Sequence, residues 1–183
     1  MSQSKIDYGF WVHERDSVGQ RLCMILRSIL FLAMAGCLNA EPIKQLGFLK
    51  WMEGTWVHES EGSSVRMTSR WIEGGKFLER SFDINMGTEP LKKLRQTVFW
   101  DPAKKQVRSW GVYSDGGFEE AVWKMKGATL FVSREITRAD GVRGKAVSHW
   151  TLIDKKNCAW SSNKRSMGKE KFPDIPGTSL RKD

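Results

Sequence analysis

The sequence predicts an all-β protein in which about nine or ten antiparallel strands form one up-and-down meander that curls into a barrel. From Gly54 onward, short β-rich runs alternate with turn residues at a spacing of about ten residues, which is typical of such a meander. The same region has no sustained 3.6-residue period. A meander of this length does not stay open and flat, because curling closes or nearly closes its edges.

Composition supports a single globular domain. The chain has 183 residues, of which 40% are hydrophobic and 28% charged, and these fractions exclude intrinsic disorder and a mostly membrane-embedded chain. This length suffices to bury a core without disulfide or metal staples. We therefore divide the chain into an N-terminal extension, residues 1–40, and a barrel domain, residues 41–183.

The N-terminal extension contains the features of a secretory signal peptide. Residues 25–40 have Arg27 near their start, an apolar centre and small residues near their end. The apolar run is about half the length of about 20 residues that a membrane-spanning helix needs, although a signal-anchor remains an alternative. Because residues 1–23 are polar and partly acidic, we hypothesise that translation starts at Met24 and that the signal covers about 24–40. The sequence thus predicts export to the periplasm, the envelope or the medium.

Two processing alternatives remain open. Cleavage after Ala40 would release the barrel domain, whereas Met34-Ala35-Gly36-Cys37 resembles a bacterial lipobox in which Cys37 would carry a lipid and tether the protein to the membrane. Both alternatives leave Cys158 as the one thiol. We expect Cys158 to be a small buried apolar residue beside Trp160.

One short helix is predicted before the first strand. Residues 43–53 look helical, with Leu46, Leu49 and Met52 near one face. The predicted strands that follow are 54–60, 64–72, 77–86, 91–100, 106–113, 118–126, 129–137, 142–153, 158–164 and a short one near 177–182.

Strand alternation assigns most tryptophans to the inner wall of the barrel. Seven of the nine fall in different predicted strands, with apolar residues in the same phase. Indole rings there either fill a solid core or line an internal cavity for a flat or apolar ligand. The seven are Trp56, Trp71, Trp100, Trp110, Trp123, Trp150 and Trp160.

Polar residues share the phase of these tryptophans. They are His58, Ser69, Arg80, Gln96, Arg108, Glu119, Arg134, Ser148 and Ser162. A buried charge is costly unless it is paired, and three arginines outnumber one glutamate in this set. An anionic ligand or cavity water would supply the missing partners, since a guanidinium matches the geometry of carboxylate and phosphate. Two alternatives stay open: a shifted register that turns a strand over, or arginines that reach the barrel rim.

These arguments identify the candidate ligand-binding residues. Two arginines would orient a carboxylate or phosphate, and three tryptophans would line the cavity. The full set is Arg80, Gln96, Trp100, Arg108, Trp110, Glu119, Trp123 and His58.

The turns differ in charge between the two ends of the predicted meander. Turns near 60–64, 87–90, 114–117 and 138–142 are the more acidic. Turns near 73–76, 101–105, 126–128 and 154–157 carry most of the lysines. The net charge of +9 would therefore concentrate at one end, where it would steer anionic ligands or lipid headgroups, or form only solvated turns.

Sequence motifs for catalysis, metals and cofactors are missing. No nucleophile elbow, zinc-protease motif, phosphate-binding loop or paired C-x-x-C occurs, and the three histidines are far apart. We therefore expect no metal and no cofactor. We also expect no nucleic-acid partner, because the tryptophans lie on the apolar face and the export signal removes most access to nucleic acid.

One series of short motifs carries a family resemblance. It consists of Gly54-Thr55-Trp56, Trp100-Asp101-Pro102, Arg108-Ser109-Trp110 and Ser114-Asp115-Gly116-Gly117-Phe118. Over about residues 45–182, the chain resembles the lipocalin-like (calycin-like) β-barrel domain of bacterial exported proteins, which in some relatives follows a SnoaL-like domain. The resemblance implies a calycin-like barrel without an established activity, and this chain lacks the SnoaL-like partner.

Three functional hypotheses follow. The leading one is an exported, non-enzymatic barrel that binds a small apolar or anionic ligand inside. The alternative is an envelope structural or interaction module with a solid core, in which Arg80 would pair with Glu119. The third is an enzyme that uses Glu119 or His58 in a barrel pocket, which requires those side chains to converge on one cavity.

Overall fold

The computed structural model describes residues 41–87 and 90–183. In this part the chain forms a closed antiparallel up-and-down barrel, which confirms the predicted fold class. The predictions for the signal segment, Met24 and Cys37 lie outside the described residues. The strands are β1 (Gly54–Ser60), β2 (Ser63–Ile72), β3 (Phe77–Asn85), β4 (Lys92–Asp101), β5 (Gln106–Tyr113), β6 (Phe118–Lys126), β7 (Thr129–Thr137), β8 (Arg143–Leu152), β9 (Asn157–Met167), β10 (Glu170–Phe172) and β11 (Ile175–Lys182).

The barrel closes through its last strands. Strands β1 to β9 pair in chain order, β11 pairs with β9, and the wall is completed where β11 meets β1. That last seam is short, since two residue pairs join it, Trp56 with Lys182 and Val57 with Arg181. Strand β10 pairs with β9 beyond the end of β11 and extends the wall at one end.

The predicted helix is a 3₁₀ helix, Lys44–Met52. Three of its apolar residues, Leu46, Leu49 and Met52, are fully buried in the main core. Their spacing of three residues equals the period of a 3₁₀ helix, so one row of side chains faces the barrel. The amide of Ile43 donates to the carbonyl of Gly75 at 3.0 Å, so the helix covers the end of the barrel that carries the β2–β3 turn. Within the described residues, none of the helices combines the length and apolarity required to cross a bilayer.

The predicted inner face is confirmed for most of the tryptophans. Trp56, Trp71, Trp123 and Trp150 are buried, and two further ones, Trp100 and Trp160, are partly buried against the core.

Strand β5 has the opposite phase to the one predicted. Val107 and Ser109 are buried, whereas Trp110 is 57% exposed. The predicted inward orientation of Trp110 and Arg108 is therefore wrong, and both lie on the outer surface. Gly111 takes an inward position instead, because a Cβ there would lie 2.9 Å from the Cγ of Glu119. This is the one-residue shift of phase that turns a whole strand over.

Cys158 is fully buried on β9, and burial raises the pKa of its thiol to about 12. The thiolate is the reactive form, so native protein at about pH 8 should leave Cys158 unmodified by iodoacetamide. Peptide mapping after alkylation checks this, with denatured protein as the control that should react fully. Modification of Cys158 in the folded protein would contradict its burial.

Candidate functional site

A cavity of about 590 Å³ lies inside the barrel. Ser60, Ser63, Met86 and Lys92 line its mouth, so it opens at the end of the β1–β2 hairpin and the β3–β4 connection. The lysine-rich turns lie at the opposite end, which the 3₁₀ helix covers. The positive charge was predicted to concentrate at that opposite end. The structure divides it between the two ends, because the β9–β10 hairpin (164–171) brings further basic residues to the mouth.

A buried carboxylate, Glu119 on β6, organises the polar wall of this cavity. It is 1% exposed and accepts hydrogen bonds from three neighbouring strands. The Nε2 of Gln96 donates to its Oε1 at 2.9 Å, and the Nε of Arg134 donates to its Oε2 at 3.0 Å. The hydroxyl of Tyr113 donates to the same Oε2 at 2.5 Å. Gly111 makes this arrangement possible, since it leaves the space that the side chain of Glu119 crosses.

Arg80 on β3 is the second buried charge. It is 2% exposed, and its Nη1 donates to the Oε1 of Gln96 at 2.9 Å. Its guanidinium carbon lies 4.8 Å from the ring centroid of Phe82 and 5.1 Å from those of Trp123 and Trp150, which is cation–π geometry. Burial lowers the pKa of Arg80 from its ordinary value to about 9, so the side chain is still charged at neutral pH.

The cavity wall carries more positive than negative charge. Arg134 forms an ion pair with Glu119, whereas Arg80 has no ion pair among the described residues. The Nε of Arg80 and the Oγ of Ser148 are buried without hydrogen-bond partners, and both residues line the cavity. A desolvated donor without a partner is costly, so these groups provide a site for an acceptor atom.

Arg80 lies at the deep end of the cavity. Along β3 the wall consists of Arg80, Phe82 and Ile84, whereas Leu78, two residues before Arg80, is part of the closed core. A solid structural barrel would have a filled interior and an ion pair between Arg80 and Glu119. The structure has neither of these features, because the interior holds a cavity and Arg80 bonds to Gln96 instead.

The structure brings together part of the predicted site. Arg80, Gln96, Glu119 and His58 all line the cavity. Trp123 was also predicted to line the cavity but is not among the residues that do so; its ring centroid lies 5.1 Å from the guanidinium carbon of Arg80, and its indole N–H donates to the Oγ of Ser109 at 2.9 Å.

The other predicted residues lie elsewhere. Trp100 is partly buried against the core and is not among the residues that line the cavity. Arg108 lies on the outer face, 3.4 Å from the Oδ2 of Asp101, and Trp110 donates its indole N–H to the Oε1 of Glu120 at 3.1 Å.

Several cavity residues were not in the predicted set. Trp150, Trp160, Tyr113, Arg134 and Arg165 line the cavity. The sequence pattern had already placed three of these on the inner face, namely Trp150, Trp160 and Arg134. Tyr113 was missed because it faces inward only in the observed phase of β5, in which Gly111 also faces inward.

The predicted candidates for acid–base chemistry, Glu119 and His58, line the same cavity but are both engaged in hydrogen bonds. Both oxygens of Glu119 already accept hydrogen bonds from Gln96, Tyr113 or Arg134. The Nδ1 of His58 is 2.9 Å from the backbone oxygen of Ser179 on β11, at the barrel seam. No group of three or more His, Cys, Asp or Glu side chains in the described ranges could hold a metal ion.

Comparison with known proteins finds no family model and no curated protein that matches this chain. The fold and the geometry of the cavity are therefore the grounds on which a function is assigned. Membership of the lipocalin-like group stays a prediction from the motif series.

Proposed function

We propose that this barrel is a non-enzymatic binding protein for a small amphiphilic ligand, and that it belongs to the lipocalin-like group. The observation that carries the proposal is Arg80: a buried cation, with an N–H that lacks a partner, at the deep end of a cavity of about 590 Å³. A cavity of this size is within the usual range for small-molecule sites of about 300–1,000 Å³.

The rest of the cavity suits an apolar body. The apolar part of its wall includes Phe82, Ile84, Leu94, Val132 and Ile136. A carboxylate beside Arg80 would accept a charge-assisted hydrogen bond and relieve the cost of the buried charge. An aliphatic or aromatic carboxylate therefore fits better than a neutral or a fully polar ligand.

Arg80→Met tests the proposal directly. A buried charge-assisted hydrogen bond contributes about 1.5–3 kcal/mol, so the affinity for decanoate should fall by about ten- to a hundredfold. Binding of decanol, which has no charge, should change little. Stability should change little as well, because an apolar isostere of an incompletely paired buried charge is often neutral or stabilising.

Two readouts report binding. Trp150 and Trp160 line the cavity, so bound ligand should change tryptophan emission. Ligand at about 100 times its Kd should also raise the free energy of unfolding by about 2.7 kcal/mol, which a thermal melt detects. Arg95→Met is the matched control, since Arg95 is exposed on the outer face of β4. Equal losses in both variants, or no response of the unmodified protein to aliphatic and aromatic carboxylates, would refute the proposal.

Export is part of the proposal and has its own test. Mass spectrometry of the mature protein from its host should find an N-terminus at Glu41 or a lipid on Cys37. A mature protein that retains the peptide containing Phe10-Trp11 would contradict both export and the start at Met24.

A further inference from the structure

An arginine at the cavity mouth results from an irregularity in β9. Lys145 pairs with Ser166, and Val147 pairs with Asn163. Between these two pairs β9 therefore advances by three residues and β8 by two, so β9 contains one extra residue. This is a β-bulge, and Lys164 within it has a φ of 51°, which is unfavourable for a lysine. Because the bulge breaks the alternation, Ser162 and Arg165 both line the cavity although they are three positions apart, an odd spacing that would place them on opposite faces of a regular strand.

Arg165 is held in place and has no acidic partner in the part of the chain that the structure describes. Its Nη1 donates to the backbone oxygen of Pro173 at 2.7 Å, and its guanidinium carbon lies 5.8 Å from the ring centroid of Phe172. Within residues 41–87 and 90–183, no carboxylate pairs with it. Lys92, which also lines the cavity, differs, because its ammonium forms an ion pair with Asp115 at 3.1 Å. Arg165 therefore keeps most of its five N–H donors for another group.

The two cationic groups lie at opposite ends of the apolar wall. The guanidinium of Arg80 contacts the ring of Trp150, whose centroid is 6.2 Å from that of Trp160 on β9. Arg165 lies five residues farther along β9, which corresponds to on the order of 15 Å at about 3.3 Å per residue.

We infer that the cavity takes an amphiphile with a negative charge at each end, one group at Arg80 and the other at Arg165. The inference rests on the proposed function and names its ligand class: a long dianion such as an α,ω-dicarboxylate. The bulge has a function in this scheme, since it turns an arginine toward the mouth that regular alternation would direct outward.

Calorimetry with matched pairs of acids tests the inference. The probes are α,ω-dicarboxylates from octanedioate to hexadecanedioate, each compared with the monocarboxylate of the same carbon number. At the best chain length, the unmodified protein should bind the diacid about tenfold more tightly than the monoacid, as expected for one additional charge-assisted contact. Arg165→Met should reduce that ratio to about one and leave the monoacid affinity unchanged.

Two further variants separate charge from structure. Arg165→Lys should retain part of the preference, because it keeps the charge. Arg143→Met removes an exposed arginine at the same end of the barrel that does not line the cavity, and it should leave the ratio unchanged. Equal binding of mono- and diacid by the unmodified protein would overturn the inference and leave the proposed function standing, as would an equal loss of both in Arg165→Met. Failure of both acids to bind the unmodified protein would overturn both.

Discussion

Replacement of Glu119 by alanine is expected to lower the free energy of unfolding by about 3–5 kcal/mol, the usual cost of removing one partner of a buried ion pair. The change would leave Arg134 without its ion-pair partner and Gln96 and Tyr113 without their acceptor. It would also remove the negative charge that favours the charged form of Arg80. Urea unfolding followed by tryptophan fluorescence measures the difference.

The next residue along the chain is the control for this experiment. Glu120 lies on the outer face of β6, where its half-exposed carboxylate is 3.7 Å from Arg108 and accepts the indole N–H of Trp110. An exposed ion pair contributes about 0–1 kcal/mol, so Glu120→Ala should cost less than about 1 kcal/mol. Equal costs for the two variants would contradict the description of Glu119 as the centre of the buried network.

Trp56→Ala is expected to destabilise the protein by about 3–5 kcal/mol, as large-to-small changes of buried tryptophans do. Trp56 is fully buried and joins the 3₁₀ helix to the barrel. Its indole N–H donates to the backbone oxygen of Met52 at 3.1 Å, and its ring packs edge-on against Trp51 at 5.7 Å between centroids. The variant should therefore also loosen the covered end of the barrel, which hydrogen exchange of the helix amides would detect.

Trp110→Ala is the matched tryptophan control. Trp110 lies on the outer face, where its ring centroid is 4.7 Å from that of Phe99. Its removal should cost less than about 1 kcal/mol, because the indole is mostly solvent-exposed and no core cavity results. A loss of stability as large as that of Trp56→Ala would mean that Trp110 faces the barrel interior, as the strand pattern predicted, and would contradict the outward orientation described above.

The two buried charges that line the cavity have different expected roles. Glu119 satisfies four side-chain donors on three strands and is expected to stabilise the fold. Arg80 donates hydrogen bonds to Gln96 and to the sulfur of Met67, makes three aromatic contacts and keeps an N–H without a partner. Substitution of Arg80 should therefore affect ligand affinity much more than stability, and this contrast distinguishes a binding site from a structural network.

Local sequence signals predicted most of the wall. The predicted strand 77–86 corresponds to β3 at Phe77–Asn85, and 91–100 corresponds to β4 at Lys92–Asp101. Alternation and turn chemistry are properties of adjacent residues, so they can be recognised without knowledge of the fold. The helix followed from the same kind of signal, in the spacing of Leu46, Leu49 and Met52.

The phase of β5 could not be predicted in this way. Arg108, Trp110 and Val112 form an alternating set that looks like a core face as much as Val107, Ser109 and Gly111 do. The neighbouring strands decide between the two, because Glu119 needs the space over Gly111 and Trp110 has its partners, Phe99 and Glu120, on the outer face.

The sequence by itself determined the fold class, the order of the strands, the helix that precedes them, and the inward phase of Arg80, Gln96 and Glu119. Tertiary structure decided which charges are paired, because pairing depends on the register that sets Arg80 opposite Gln96 and brings Arg134 to Glu119. It also decided where the cavity opens and which arginine faces its mouth, since a bulge in β9 is set by pairing with β8. Alternation is a property of one strand, whereas a binding cavity is formed by side chains from many strands that only closure of the barrel brings together.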